Sequence, residues 1–349
     1  LRSGNLSLGP KYKELEQKFA KKIGTKYACA VSSGTAGLHL AMIASGIKPG
    51  DEVITTPFSF VASANCILYV GAKPVFVDID PLTYNIDPDK IEEAITGKTK
   101  AILVVHIFGQ AADMAKISKI AKKHNLKIIE DACESIGAIY KNKNTGTFGE
   151  SGVFAFYPNK QMTTGEGGML VTNNKNIYEL CSSLRNQGRA KNMQWLDHER
   201  LGYNYRMGEI NASLGLAQLA KLDAMINKRQ EIAGWYNEAL RPHSGIISAP
   251  KTAKNNTHTW FVYVVTLENK LDRDKIINLL ASRNVATKAY LPSIHLFEFY
   301  RKEFGHKKGD FPISENISNT SLALPIYIGL KKSDIKYIVK TLIEVTKHS

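Results

Sequence analysis

Between residues 26 and 175 the chain alternates short apolar runs with amphipathic stretches, a pattern satisfied by βαβ units around a mainly parallel sheet. The runs YACAV, DEVITT, KPVFVDI, AILVVHIF, LKIIED, GVFAFY and GGMLVT read as strands. Residues 113–124 read as a helix, because Ile117, Ile120 and Ala121 fall on one face. A long helix is expected over residues 209–240, where Leu219, Leu222 and Ile226 repeat at helical spacing and Lys, Arg and Glu take the other faces. Beyond the polar segment ISAPKTAKNNTHT lie a strand (WFVYVVTL), a helix over 272–282 and a last helix over 332–347. A chain of 349 residues, 44% hydrophobic, buries enough surface for about two domains. The expected division is a large α/β domain with an N-terminal arm over 1–207, a connecting helix over 208–240, and a small α+β domain over 241–349.

Lys plus Arg outnumber Asp plus Glu by 46 to 32, so the formal charge is +14 and anionic partners come first to mind. Nucleic acid is disfavoured among them. The excess is scattered lysine, with no recognition-helix motif, no RNP-like aromatic strand and no arginine-rich arm. Cys29, Cys66, Cys133 and Cys181 stand far apart without a CxxC, which suggests neither a disulfide framework nor structural zinc and fits a reducing cytoplasm. No run approaches the roughly 18 apolar residues of a membrane-spanning helix, so a soluble protein is expected. The chain opens at Leu1 without a methionine, which leaves room for a preceding segment, a targeting peptide included.

Three places carry chemistry. Ser32-Ser33-Gly34-Thr35 follows the first strand and opens a helical stretch, where free backbone N–H groups and the helix dipole favour an anion such as phosphate. Taken alone, an ordinary Ser/Thr cap explains it more simply. Glu130-Asp131 closes the strand LKII, and ligands of open α/β sheets gather at such carboxyl ends; a solvated acid or a helix cap would look the same. Lys160 lies between two apolar strands and ahead of a glycine-rich turn, a confined setting that disfavours ammonium and frees an amine for Schiff-base chemistry. Few lysines do this. A phosphate cradle, a strand-end acid and a later lysine, in this order, are together what pyridoxal phosphate requires.

With SGNLSLGPKYKELEQKFA, SSGTAGLHLAM, GDEVITTPFSFVASANCILYVGAKPVFVDID, VHIFGQAADM, IIEDACESIGA, FYPNKQMTTGEGGMLVT, GYNYRMGEINASLGLAQL and SLALPIY in sequence, the chain resembles the DegT/DnrJ/EryC1/StrS group. These are fold-type I, pyridoxal phosphate-dependent sugar aminotransferases, and the likeness runs over essentially the whole chain. It implies that Lys160 is the Schiff-base lysine, holding the cofactor as an internal aldimine and cycling through pyridoxamine phosphate. It implies that Asp131 pairs with the pyridine nitrogen, that Gly34 and Thr35 form the phosphate-binding turn, and that Phe60 stacks on the ring. By its residues alone Phe60 would be a core phenylalanine. Asn204, otherwise a helix cap, would reach the phosphate of the neighbouring subunit's cofactor. Two positions depart from the group's pattern. Ala155 stands where many members have serine, removing one phosphate contact, and Glu134 replaces a glutamine near the ring hydroxyl, so it should be protonated or turned elsewhere.

The resemblance further implies ping-pong transamination from L-glutamate to a nucleoside-diphosphate-linked keto sugar, with a 4-keto-6-deoxyhexose preferred. A homodimer with composite sites is expected, since SGNLSLGP and GYNYRM lie at the subunit interface in this group. Tyr157, Arg206 and His295 are the substrate-side candidates. His295 is equally well explained as a packed interior histidine, and His106 joins no catalytic set. Amination of a cyclitol ketone and sugar dehydration are the alternatives on this scaffold; members specialised for deoxygenation tend to carry histidine in place of the lysine. A basic regulatory protein is the remote one.

Overall fold

In the computed structural model, which describes residues 4–190 and 197–347, the alternating half of the chain becomes a seven-stranded sheet. Its strands are β1 (Tyr27–Val31), β2 (Glu52–Thr55), β3 (Lys73–Phe76), β4 (Thr99–Val105), β5 (Lys127–Asp131), β6 (Ser151–Ala155) and β7 (Gly168–Thr172). Their spatial order is β1-β7-β6-β5-β4-β2-β3. The run from β6 to β3 is parallel, and only β7 opposes its neighbours. Strands this apolar, such as AILVV and MLV, need cover on both faces. Helices α1 (Pro10–Ile23), α2 (Gly34–Ala44), α3 (Ala62–Leu68), α4 (Met114–Lys123) and α5 (Lys175–Leu184) supply it, α2 lying against β6 and β7 and α1 and α5 against β1. The helix expected over 113–124 is α4, started by Asp113, whose carboxylate accepts from Lys116 N at 3.2 Å.

The single helix expected over 208–240 is two, α6 (Glu209–Leu219) and α7 (Leu222–Leu240). The apolar repeat runs through the break because Leu222 and Ile226 still fall on buried positions, but the two helices serve different partners. α6 packs on α1, whereas α7 turns to the C-terminal layer. There the four-stranded sheet has the order β8-β9-β11-β10, built from β8 (Ile247–Ser248), β9 (Tyr263–Leu267), β10 (Lys288–Ala289) and β11 (Ser321–Leu324). Helix α8 (Arg273–Ala281) joins this layer, α9 (Glu298–Phe304) packs Tyr300 against Ala64 of α3 and Phe76 of β3, and α10 (Pro312–Thr320) and α11 (Lys332–Thr346) complete the layer. Its core joins Ile232 and Tyr236 of α7 to Tyr263, Leu322 and Leu342. No helix among the described residues is long and apolar enough to cross a membrane.

The strand expected from Trp260 starts only at Tyr263, because residues 258–261 fasten the C-terminal layer to the large sheet. Thr259 N donates to Gly109 O at 2.8 Å and Phe261 N to Phe108 O at 3.0 Å. From the other side the buried Arg229 of α7 donates to the carbonyls of Trp260 (2.9 Å) and Phe261 (3.2 Å). Trp260 adopts φ +50°, which a bulky residue holds only when its surroundings impose it. Beside it His258 stacks on the indole at 3.7 Å between centroids and accepts from Trp260 N at 3.0 Å.

Burial pushes His258 down from 6.5 to about 3. Between those pH values the folded chain binds fewer protons there than the unfolded one, so this contribution to stability is lost progressively as pH falls below 6.5. His258→Asn, which keeps an acceptor for Trp260 N, is expected to unfold at lower pH than the parent in an acid titration followed by circular dichroism. An unchanged midpoint would show that His258 is not held neutral.

Candidate active site

Strand β1 ends at Val31 and the chain turns through Ser32-Ser33 into α2. Ser33 is a true cap: its Oγ accepts from Ala36 N at 3.0 Å. The N–H groups of Gly34 and Thr35 are among those a helix start leaves without partners of its own, and they carry the positive end of the dipole. Capping and anion binding are therefore compatible here. Space dictates glycine, since a Cβ on Gly34 would come within 2.8 Å of Ala155 Cβ and 2.9 Å of Cys133 Sγ. Gly168 is equally constrained, its added Cβ falling 2.6 Å from Ser33 C. Ala155 thus stands directly against the turn where a serine hydroxyl would have reached it. The GYNYRM segment runs alongside, with Ser32 N donating to Tyr205 O at 2.8 Å and Val31 paired with Arg206. Asn204 is exposed there, while Arg206 donates to Asn186 Oδ1 at 3.0 Å.

At the end of β5 the strand period of two separates the paired acids. Glu130 turns into the protein, where its carboxylate accepts from Gly146 N (2.6 Å), Phe148 N (2.6 Å), Gly149 N (2.7 Å) and His106 Nε2 (2.9 Å). His106 Nδ1 accepts from Ala112 N at 3.1 Å, which leaves Nε2 as the nitrogen that donates to Glu130. Asp131 faces the other side. One oxygen accepts from Ser63 Oγ of α3 at 2.7 Å and the other from Cys133 N at 3.1 Å. A carboxylate has about four acceptor sites, so two remain for a ligand.

Lys160 sits on the turn after β6, its side chain 13% exposed and its Nζ 3.5 Å from Glu134 Oε1. The Phe261 ring covers the amine, with Nζ 3.9 Å from the centroid. The other oxygen of Glu134 accepts from Phe108 N at 3.0 Å, a donor aimed by the left-handed backbone of Phe108. Burial pushes the Glu134 carboxyl up, with the Lys160 ammonium and the Phe108 N–H opposing. Glu134 is thus engaged by the lysine and a backbone donor. Burial likewise pushes the Cys133 thiol well up, with Asp131 adding to it, which leaves the thiol unreactive. Gln161 donates to Glu134 O at 2.6 Å and Thr259 Oγ1 at 3.0 Å, while its enclosed Oε1 has no partner among the described residues.

One turn of chain, residues 131–134, brings these groups to a single place. Asp131 holds Ser63, Cys133 lies against Gly34, and Glu134 meets Lys160. Phe60 belongs to the same locality, since its carbonyl accepts from Ser63 N at 3.1 Å. Its ring is 61% exposed, so it is not the core residue its composition suggested. Tyr157 is also exposed, on the turn whose carbonyl holds Lys160 N at 2.9 Å. His295 is not brought there. It is 0% exposed, shares its Nε2 with Glu315 of α10 at 3.0 Å and packs on Phe311, so it is an interior histidine with no surface to offer a substrate. A cleft of about 690 Å³ between α1, β1 and α5 contains none of the site residues, and its buried Glu16 and Arg185 are paired with each other.

Ser63, Gly168, Phe261 and Thr259 were not anticipated. The Ser59/Ser63 spacing of four, with Ser59 Oγ 2.7 Å from Ser63 Oγ, is the one local signal that could have pointed to Ser63. Phe261 and Thr259 arrive from the C-terminal layer, and nothing near Lys160 in sequence announces them.

The chain matches the DegT/DnrJ/EryC1/StrS aminotransferase family over residues 1–343. It is 39% identical to the spore coat polysaccharide biosynthesis protein SpsC of Bacillus subtilis, across 99% of this chain and 92% of that protein. It is also 39% identical to the GDP-perosamine synthase of Caulobacter vibrioides, across 97% and 91%. The structure of S. venezuelae DesV in complex with a ketimine intermediate matches with a TM-score of 0.93 at 33% identity, across 99% of this chain and 92% of that one. The large mixed sheet with its smaller layer is accordingly the fold-type I architecture. Enzymes of this kind are pyridoxal phosphate-dependent transferases. Both the matched span and the matched fold run from end to end, and the chain belongs to the DegT/DnrJ/EryC1/StrS aminotransferase family.

Proposed function

We propose that this enzyme moves an amino group from L-glutamate to a nucleoside-diphosphate-linked keto sugar. The observation that carries the proposal is the 131–134 turn, which sets an acid, an anion-binding helix start and an enclosed lysine around one space. The residues fit pyridoxal phosphate. Gly34 and Thr35 offer helix-start N–H groups, and at Gly34 there is no room for a side chain, which suits phosphate. Asp131 keeps acceptor sites for the ring nitrogen, and the exposed Phe60 ring suits a planar partner. When bound, the cofactor supplies a ring that withdraws electrons from the amino-bearing carbon.

The protein's own part follows from the geometry. Lys160 Nζ is the attachment point and, when free, the group that holds and moves a proton. Glu134 and the Phe261 ring confine that amine, and the ring keeps one side of it from water. Asp131, fixed by Ser63 and Cys133 N, keeps its negative charge directed at the ring nitrogen.

A keto-sugar acceptor is supported by the relatives, one named a GDP-perosamine synthase and another a polysaccharide biosynthesis protein. A 4-keto-6-deoxyhexose is the preferred form, with Tyr157 and Arg206 on the substrate side. The composite site requires a homodimer in which Asn204 reaches the phosphate held by the other subunit. Leu6, Ile210 and Leu214 support this, being exposed large apolar residues on the arm and the adjoining α6 that a second copy would cover.

The pyridoxamine form, mixed with a panel of 3-keto and 4-keto nucleotide sugars, should regain absorbance near about 400 nm with one or more of them. Recovery only with keto acids would overturn the sugar acceptor. Sedimentation of the active enzyme should give a dimer, and an active monomer would exclude the composite site.

A further inference from the structure

Five enclosed tyrosines direct their hydroxyls at partners inside the protein. Tyr84 meets Thr266, Tyr140 Asp113, Tyr236 Pro325 O, Tyr263 Asn237 and Tyr300 Asn65, at 2.6 to 2.7 Å. Tyr290 does not. Its ring is packed edge-on against Phe108 at 5.7 Å and against Phe261 at 6.2 Å, yet its hydroxyl has no partner among the described residues and is not enclosed. Its backbone is held too, since Ser321 Oγ donates to Tyr290 O. The phenol is therefore a fixed group with an unused hydroxyl.

Its surroundings define what that hydroxyl would meet. Phe261 presents its face to Lys160 Nζ and touches Tyr290, so the phenol stands about one ring away from the reacting amine. Burial, with the nearby Glu134 carboxyl adding to it, pushes the phenol up, so it stays protonated as a donor. Phe108 and Phe261 are buried and hold the ring from behind, so a ligand would meet Tyr290 through its phenolic hydroxyl, a neutral group that suits a hydroxylated ring.

We propose that Tyr290 is a specificity-determining residue that hydrogen-bonds a hydroxyl of the sugar acceptor, its ring held in place by the buried Phe108 and Phe261. This rests on the keto-sugar reading of the site. Tyr290→Phe removes the hydroxyl and keeps the ring. For that variant KM for the keto sugar should rise about three- to tenfold, as expected for one neutral hydrogen bond. The half-reaction with glutamate should stay within about twofold of the parent, because the donor does not use this contact. Calorimetric binding of GDP-mannose to the holoenzyme, a probe that undergoes no transamination, should weaken by the same factor as KM. Tyr290→Leu, which also removes the ring packed on Phe108 and Phe261, should weaken both further. Unchanged sugar KM and probe binding in Tyr290→Phe would overturn the assignment, as would equal slowing of both half-reactions. A parent enzyme that aminates no keto sugar would sink the functional reading and this role with it. A parent that aminates one, matched by Tyr290→Phe, would sink the role alone.

Discussion

Lys160→Ala is expected to abolish transamination, lowering turnover by on the order of 10⁴-fold or more, because it removes the covalent attachment and the proton-moving amine together. The absorbance near about 400 nm should vanish with it. The geometry makes a second consequence testable. Glu134 Oε1 loses the ammonium 3.5 Å away, and a buried carboxyl without its cation shifts further toward the protonated form. Lys160→Arg provides the control, since a guanidinium keeps a positive charge beside Glu134 but stays protonated and cannot form the bond. Both variants should fold and neither should complete the glutamate half-reaction. Turnover retained in either would remove Lys160 from the mechanism.

The same lysine shows how far sequence can reach. By composition it is one basic residue among 46, and only the strand-end acid and the small-residue turn upstream single it out. The elements that bring these together are local: apolar runs covered on both faces become parallel strands, and strands joined by helices put their carboxyl ends on one edge. What escapes is set by partners distant in sequence. Nothing in Leu219-Ala220-Lys221-Leu222 signals a break, because the bend answers to α1 on one side and the C-terminal layer on the other. WFVYVVTL has a strand's composition throughout, yet Trp260 and Phe261 are drawn out of the strand by Arg229, Phe108 and Gly109. Phe60 has the apolar side chain of a core residue and is nonetheless exposed, a placement its neighbours in sequence do not signal. His295 illustrates the converse, its resemblance to a substrate contact yielding to a packed position beneath α10.

Glu130 and Asp131 are adjacent acids whose amide replacements should fail in opposite ways. Period-two alternation says that they face opposite sides of the sheet but not which side is the ligand's. In Asp131→Asn the amide oxygen can still accept from Cys133 N, and its NH₂ can face Ser63 Oγ, because the Ser59–Ser63 hydroxyl pair can reverse its donor direction. The stability cost should stay near about 1 kcal/mol. The lost negative charge falls where the ring nitrogen would be held, so turnover should drop on the order of 10³-fold. Glu130→Gln meets four donors, three of them backbone N–H groups within 2.7 Å, and its NH₂ would be forced against at least one. An enclosed donor left unmatched there, with the charge that served all four removed, should cost roughly 3 kcal/mol while the folded fraction keeps near-parent turnover. Urea denaturation and the glutamate half-reaction, measured on both variants, separate the roles. If Asp131→Asn retained turnover within about tenfold of the parent, or if Glu130→Gln unfolded at the parent's midpoint, the division of labour drawn from the strand geometry would be wrong.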